Sequence, residues 1–283
     1  MKIQYVGIIG QGFVGSALKE SFSPHYKVYT YDKMQKDLST HKSINDLSKV
    51  CELLFVCVPT PMKEDGSCDI SIVKDVVQRA CSTGRKNIIA IKSTVPPNTT
   101  KHLQILCQDS DIVFNPEFLL ERQAEDDFKN TTRVILGGPR PATTRLKQFY
   151  SKIFPEADII KTDSTIAEMV KYLTNSFLAV KVSFANEIYN ICNSLDIDYD
   201  KVIEYALYDK RLGQSHWSVP GPDGHYGFGG SCFPKDINAL MHLAQTLCIK
   251  ANTINGAWNT NLMARPEKDW ELLKGRAVVN NDE

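Results

Sequence analysis

The chain has 283 residues and carries 33 Lys plus Arg against 33 Asp plus Glu, so its formal net charge is zero. That balance argues against a broad electrostatic grip on DNA, RNA or an anionic membrane. Hydrophobic residues at 42% and charged residues at 23% are ordinary for a globular protein, and at roughly 150 residues per domain the length points to two domains, or to one large domain with an extension. The longest apolar run, residues 53–58, is far too short to span a bilayer. The apolar N-terminal stretch leads straight into a Gly-rich turn, which is not a signal peptide's layout. The cysteines, at positions 51, 57, 68, 81, 107, 192, 232 and 248, contain no C-x-x-C pair. They are predicted to be free thiols in a reduced, cytoplasmic protein, with no metal site.

In chain order, strands are predicted over 3–9, 27–31, 52–58, 87–92, 111–114, 133–136 and 158–161. Helical patterns such as 70–81 and 99–107 lie between most of them. Near-continuous apolar strands alternating with helices predict an α/β fold, with a doubly wound (Rossmann-type) parallel sheet over residues 1–162. After Lys161 the strand signal stops. Thr165 and Glu168 read as a capping box, opening a long helix over 165–195. Ile166, Met169, Val170, Leu173, Phe177 and Val180 give that helix overlapping apolar faces. Shorter helices are predicted over 199–208, 233–247 and 253–263, around a Gly/Pro-rich loop at 213–231. Residues 163–283 are therefore predicted as an all-α second domain. The long helix exposes more apolar surface than a small helical domain can cover, which predicts a homodimer built around it. The polar tail at 280–283 is predicted to fray.

Gly10, Gly12 and Gly15 form a G-x-G-x-x-G after a predicted strand and at the start of a helix. Gly10 permits the tight turn, Gly12 lets a pyrophosphate approach the backbone, and Gly15 lets helix and strand pack closely. Phe13 and Val14 complete the turn. Asp32 ends the next strand, where a carboxylate binds ribose hydroxyls and repels a 2′-phosphate. The predicted cofactor is NAD rather than NADP. A tight β–α turn with an unrelated Asp is the alternative, and the agreement of strand, helix and spacing weighs against it.

The segment 227–236 places Cys232 between a Gly-rich loop and Pro234, which suits the first turn of a helix. There the helix dipole and Lys235 favour thiolate, and Asp236 lies one turn on. Nucleophile plus carboxylate is one reading; a structural Cys after a glycine loop is the other. Lys171 and Asn175 are four apart on the long helix and could hold an oxyanion, or simply form a solvated stripe. The loops at 92–97, with Thr94, and 115–121, with Glu117, follow strands at the carboxyl edge where open sheets bind ligands. Each alone could also be a capped turn.

Taken together, these residues resemble the UDP-glucose/GDP-mannose dehydrogenase family. The matching pieces are 10–15, Asp32, 58–61, 93–96, 115–121, the Lys171/Asn175 helix, 210–213 and 227–236. The resemblance implies four-electron oxidation of a nucleotide-sugar C6 alcohol to the carboxylate with two NAD, UDP-glucose ranking ahead of GDP-mannose as substrate. It implies Cys232 as the nucleophile of a thiohemiacetal and thioester, with Lys171 and Asn175 on the oxyanion. Asp236, Thr94 and Glu117 would handle the hydrolytic water. Glu117, Phe118, Leu119, Leu120 and Glu121, with Phe228, Gly229, Lys171 and Asn175, would contact the substrate, and Arg211 would reach that of a neighbouring subunit. Thr60, Thr94, Glu121 and Lys235 would touch NAD. The sequence departs from the family in having Arg122 after Glu121, in a longer stretch between Arg211 and Cys232, and in length. Members usually carry a third α/β domain; here residues 272–279 look like its first strand, and the third domain is expected to be absent. Two rivals remain: a two-electron dehydrogenase of the β-hydroxyacid type, and a non-catalytic NAD-binding remnant.

Overall fold

The computed structural model describes residues 3–280, so most of the predicted frayed tail, 281–283, lies outside the described residues. The chain divides into two compact units, Met1–Thr60 with Ile70–Lys171, and Pro61–Asp69 with Tyr172–Glu283. The division therefore falls inside the long helix rather than at 162/163, and a short excursion at 61–69 groups with the helical unit.

Unit 1 comprises β1 (Tyr5–Ile9), α1 (Phe13–Phe22), β2 (Lys27–Tyr31), α2 (Ile44–Val50), β3 (Leu53–Val56), α3 (Ser71–Cys81) and β4 (Ile88–Ile91). It continues through α4 (Thr99–Leu106), β5 (Asp111–Phe114), α5 (Ala124–Lys129), β6 (Arg133–Gly137), α6 (Arg140–Ile153) and β7 (Asp158–Thr162). The seven strands form one sheet in the order β2-β1-β3-β4-β5-β6-β7. Every pairing is parallel except β5 with β6, which meet antiparallel through the single pair Phe114 and Gly137. The doubly wound parallel sheet stands as expected, with one antiparallel contact that apolar periodicity, blind to strand direction, could not show.

Alternate residues of each inner strand enter opposite cores. Val6, Ile8, Leu53 and Phe55 join Phe22, Phe149 and Tyr150 on one face, while Ile9, Leu54, Val56, Ile89, Ile91 and Phe114 pack on the other. Strand order reverses at β1, with β2 on one side and β3 on the other. Such a reversal opens a crevice at the carboxyl ends of the strands.

The helix α7 (Ser164–Ser194) runs from unit 1 into unit 2. The predicted capping box does not form. Asp163 Oδ1 accepts the Thr165 N–H at 2.9 Å instead. Glu168 turns away to cap α4, accepting from Asn98 N at 2.7 Å, Thr100 N at 2.8 Å and Thr100 Oγ1 at 2.6 Å. Burial pushes the Glu168 carboxyl up to about 7 against these hydrogen bonds.

Unit 2 adds α8 (Tyr199–Ala206), α9 (Phe233–Thr246) and α10 (Asn252–Ala264). Its core lies in small patches, such as Ala179, Phe228, Ile237 and Ala257, and Ala185, Cys192, Tyr199 and Val219. Residues 272–279 form no strand of a further sheet. They make a tight turn closed by a Lys274–Val278 bridge and hydrogen-bonded to Met62. Cys81 and Cys107 are joined as a disulfide with Cα atoms 5.8 Å apart, which corrects the expectation that all the cysteines are free. Spacing could not show it, because packing of the α3 and α4 ends creates the approach. Among the described residues no helix is long and apolar enough to cross a membrane.

Phe22 ends α1 and meets Phe55, Phe128, Phe149 and Tyr150 with ring centroids 5.0–6.0 Å apart. Phe22→Ala is expected to cost about 3–5 kcal/mol in urea unfolding. A loss below about 1 kcal/mol would mean this cluster does not anchor α1.

Candidate functional site

The Gly-rich turn joins β1 to α1. Gly10 has φ +92°, and a Cβ there would strike the Cys57 carbonyl. A Cβ on Gly15 would overlap the Gly10 carbonyl oxygen, whereas one on Gly12 would meet nothing within 4 Å. Gly10 and Gly15 are thus required by the protein's own backbone, and Gly12 borders open space where an added side chain would obstruct a ligand. Phe13 and Val14 start α1, half-buried. Asp32 follows β2 and accepts Gln11 N at 2.7 Å and the Met34 and Gln35 N–H groups at 2.8 Å. Burial alone would raise its pKa, but these N–H groups hold the carboxyl below its ordinary range. An anionic carboxylate beside a free-standing helix N-terminus fits a dinucleotide: N–H groups for the pyrophosphate and an acceptor for the ribose diol.

At the carboxyl ends of β4 and β5 the side chains are buried and ionic. Lys171 Nζ donates to the Glu117 carbonyl at 2.6 Å and to Glu117 Oε1 at 3.1 Å, both side chains being at most 8% exposed. Glu117 Oε2 accepts Leu119 N at 2.7 Å. Burial alone would raise the Glu117 pKa, but Lys171, the Leu119 N–H and Lys92 hold it below the usual carboxylate range. Phe118 lies under Arg133, whose guanidinium carbon is 4.4 Å from the ring centroid, and 5.4 Å from Lys171 Nζ. Leu120 N donates to Asp127 Oδ2 at 2.8 Å, and Glu121 opens an exposed turn. Thr60 and Thr94 are buried on the loops after β3 and β4. The Ser93 hydroxyl, beside Thr94, accepts Val58 N at 3.0 Å.

In unit 2, Cys232 caps the N-terminus of α9 and its carbonyl accepts Asp236 N at 3.0 Å. The Asp236 carboxylate is 1% exposed and engaged on both oxygens. Lys235 Nζ reaches Oδ1 at 2.5 Å and Asn175 Nδ2 reaches Oδ2 at 2.6 Å. Burial would lower the Lys235 pKa, but Asp236, Cys232 and Cys68 hold it above the lysine range. Sequence reading paired Lys171 with Asn175; the structure gives each its own carboxylate, Glu117 and Asp236 respectively. Arg211 is exposed and forks onto Asp209, with Nη2–Oδ2 at 2.5 Å.

In the glycine loop before Cys232, Gly227 and Gly229 make room for neighbouring side chains: a Cβ at Gly227 would hit Asn261, and at Gly229 the Arg265 and Asp269 pair. Asn261 brackets Phe228, accepting its N–H at 2.6 Å and donating to its carbonyl at 3.0 Å. Arg265 is buried and bonds Asp269 at 2.6 Å and Asp223 at 2.8 Å. A Cβ at Gly230 would meet nothing within 4 Å. Asn261, Arg265 and Asp269 were missed in the sequence, and Lys92 and Glu168 were given no role in a site. A charged residue inside an apolar run was the available signal for Lys92 and Glu168.

Comparison with known proteins gives a consistent family. Residues 23–157 match the NAD binding domain of the UDP-glucose/GDP-mannose dehydrogenase family and residues 165–262 its central domain. NAD is the cofactor of unit 1. The chain is 33% identical over 282 residues to the UDP-glucose 6-dehydrogenase TuaD of Bacillus subtilis, covering 93% of this chain and 60% of that relative's length. A UDP-glucose dehydrogenase structure from Pyrobaculum islandicum superposes with TM-score 0.82 at 26% identity, covering 96% of this chain and 70% of that one. A 3-hydroxyisobutyrate dehydrogenase from Mycobacterium tuberculosis shares the fold at TM-score 0.74 and 15% identity, covering 95% of each chain.

The three glycines separate by what each would strike. Gly12→Ala should melt within a few degrees of the parent and bind NAD at least roughly tenfold more weakly by calorimetry, about 1.4 kcal/mol. Gly15→Ala should lose stability outright. Unchanged NAD affinity in Gly12→Ala would remove the open face of that turn from cofactor binding.

Proposed function

The chain belongs to the UDP-glucose/GDP-mannose dehydrogenase family, and we propose that it oxidises the C6 alcohol of UDP-glucose to the carboxylate in the cytoplasm. The Gly10–Gly15 turn and Asp32 would hold NAD, with Thr60, Thr94, Glu121 and Lys235 beside it, and NAD would supply the hydride acceptor for each of the two oxidations. Cys232 Sγ adds to the C6 aldehyde, forming a thiohemiacetal whose oxidation leaves a thioester. Water then attacks the thioester carbon, the C–S bond breaks, and the carboxylate leaves as the thiol is restored. Lys171 and Asn175 stabilise the oxygen that carries negative charge in these steps. Glu117, Thr94 and Asp236 orient and deprotonate the water. Phe118, Leu119 and Leu120, with Phe228 and Gly229, line the sugar nucleotide.

The observation that carries this reading is Cys232 at the N-terminus of α9 with Asp236 buried one turn on. A two-electron dehydrogenase needs no thiol there. The β-hydroxyacid reading has in its favour only the fold shared with the 3-hydroxyisobutyrate enzyme over 95% of both chains. NADH stoichiometry separates the two. With UDP-glucose and NAD, two NADH per sugar are expected, and Cys232→Ser should lower turnover on the order of 10³-fold while folding normally. One NADH per sugar, or Cys232→Ser within tenfold of the parent, overturns the covalent route.

The second part of the proposal is a homodimer through α7. Leu173, Phe177, Phe184 and Ile191 on α7, with Leu195 just past its end, are each at least half exposed, an apolar stripe at four- and seven-residue steps. A second copy is the occupant whose stripe matches it, and Arg211 would then serve the neighbouring copy's substrate. Light scattering at micromolar concentration should give twice the monomer mass, and Phe177→Glu should halve it. A fully active monomer would sink this part.

A further inference from the structure

Lys92 follows β4 and is 4% exposed, yet no step above uses it. Its ammonium lies 3.3 Å from the Pro116 carbonyl and 3.5 Å from Asn115 Oδ1, and 5.8 Å from the Phe128 ring centroid. Asn115 is locked from other elements as well. The Tyr150 hydroxyl donates to its Oδ1 at 2.5 Å, and its amide donates to the Ile135 carbonyl at 2.9 Å. The next carbonyl along, that of Glu117, takes Lys171 at 2.6 Å. Two consecutive carbonyls, Pro116 and Glu117, are thus each held by a buried lysine.

A lone buried ammonium is costly to retain, and apolar replacement of buried charge is often neutral or stabilising. The charge therefore calls for a use. The groups facing it are Cys57 after β3, Tyr150 on α6, Glu117 after β5 and Lys171 on α7. Burial pushes the Cys57 thiol up to about 12 and the Tyr150 phenol well above its ordinary value, so both are neutral. Glu117 is the one anion among them, facing two cations.

We propose that Lys92 is a positioning residue: it clamps the Asn115–Glu117 segment and keeps the Glu117 carboxylate ionised in its pairing with Lys171. This deepens the proposed oxidation, in which Glu117 serves the thioester's hydrolysis. Burial lowers the Lys92 pKa to about 8, so the clamp holds its full charge below that pH and gives it up above.

The test has one arm that needs no substrate. The Glu117 carboxyl carbon, assigned by its loss in Glu117→Gln, is followed by carbon-13 NMR as pH falls. In Lys92→Met it should titrate at higher pH than in the parent, because a neighbouring positive charge is gone, while the melting temperature stays at or above the parent's. Lys92→Arg should return the titration toward the parent. If the methionine variant does not fold, Lys92→Gln, which keeps a donor without charge, should give the same upward shift. In the kinetic arm, Lys92→Met should lower kcat roughly ten- to a hundredfold with little change in sugar KM, and move the acid limb of kcat upward. An unmoved Glu117 titration, or an unmoved acid limb with parental kcat per folded molecule, overturns the proposal. If the parent oxidises no nucleotide sugar, the proposed function fails and the NMR arm still decides Lys92.

Discussion

Two ammonium groups and a carboxylate buried together at the carboxyl ends of β4 and β5 are the constraint around which unit 1 is arranged. An ion taken out of water must find partners in fixed places, or it costs several kcal/mol. Lys171 finds the Glu117 carbonyl and carboxylate; Lys92 finds Pro116 and Asn115. Those partners must hold still, which explains why the short segment after β5 is tied from so many directions. Tyr150 from α6, the Ile135 carbonyl from β6 and the backbone of Leu119 all close on it. The start of α7 is fixed in the same manner, since Glu168 gives both carboxylate oxygens to the first turn of α4. The sheet supplies rigidity and the buried charges specify where each loop must lie.

Unit 2 solves a related problem with less core. Its apolar patches are small, and buried polar groups secure the segment leading to Cys232. Asn261 satisfies both backbone groups of Phe228, and Gly230 N donates to Asp269 Oδ2 at 3.0 Å. The Arg265 guanidinium, held between Asp223 and Asp269, takes the space that a side chain at Gly229 would fill. Gly227 and Gly229 are there because side chains from elsewhere in the unit press against the loop. The thiol is consequently presented by a braced loop rather than a loose one, and Asp236 one turn along is pinned by two donors.

Much of the fold was legible because its strands are buried on both faces. Runs such as Leu53–Val56 and Ile88–Ile91 are apolar without interruption, and only a covered sheet permits that. The turn from Gly10 to Gly15 was legible because Gly10 and Gly15 answer steric demands fixed by strand, turn and helix, at the spacing that leaves Gly12 facing open space. What failed was whatever depends on partners distant in sequence. Glu168 sits at capping-box spacing from Thr165, but its acceptor capacity went to α4, whose N-terminus the sequence does not place beside it. Arg265 and Asn261 look like ordinary helix-surface residues until the loop they bracket is known. The Cys81–Cys107 pairing and the antiparallel β5–β6 contact belong to the same class, since packing decides both.

The titration of the two least accommodated charges shows what the protein gives up for this arrangement. Glu168 has its pKa raised to about 7, so the folded state binds more protons than the unfolded chain between about 4.5 and 7. Its contribution to stability is present below that window and is lost as pH rises through it. Lys92 has its pKa lowered to about 8 from 10.5, so the unfolded chain binds more protons between these values. Its contribution is present above 10.5 and is lost as pH falls through about 8. Between pH 7 and 8 both groups are more than half charged, and most of each penalty stands. Selection for stability alone would replace such residues with amides or apolar side chains. A fold that carries its greatest burial cost at neutral pH is holding those charges for what they position: Lys92 for the Glu117 segment, and Glu168 for the start of the loop-bearing helix α4, one turn before Lys171 on α7.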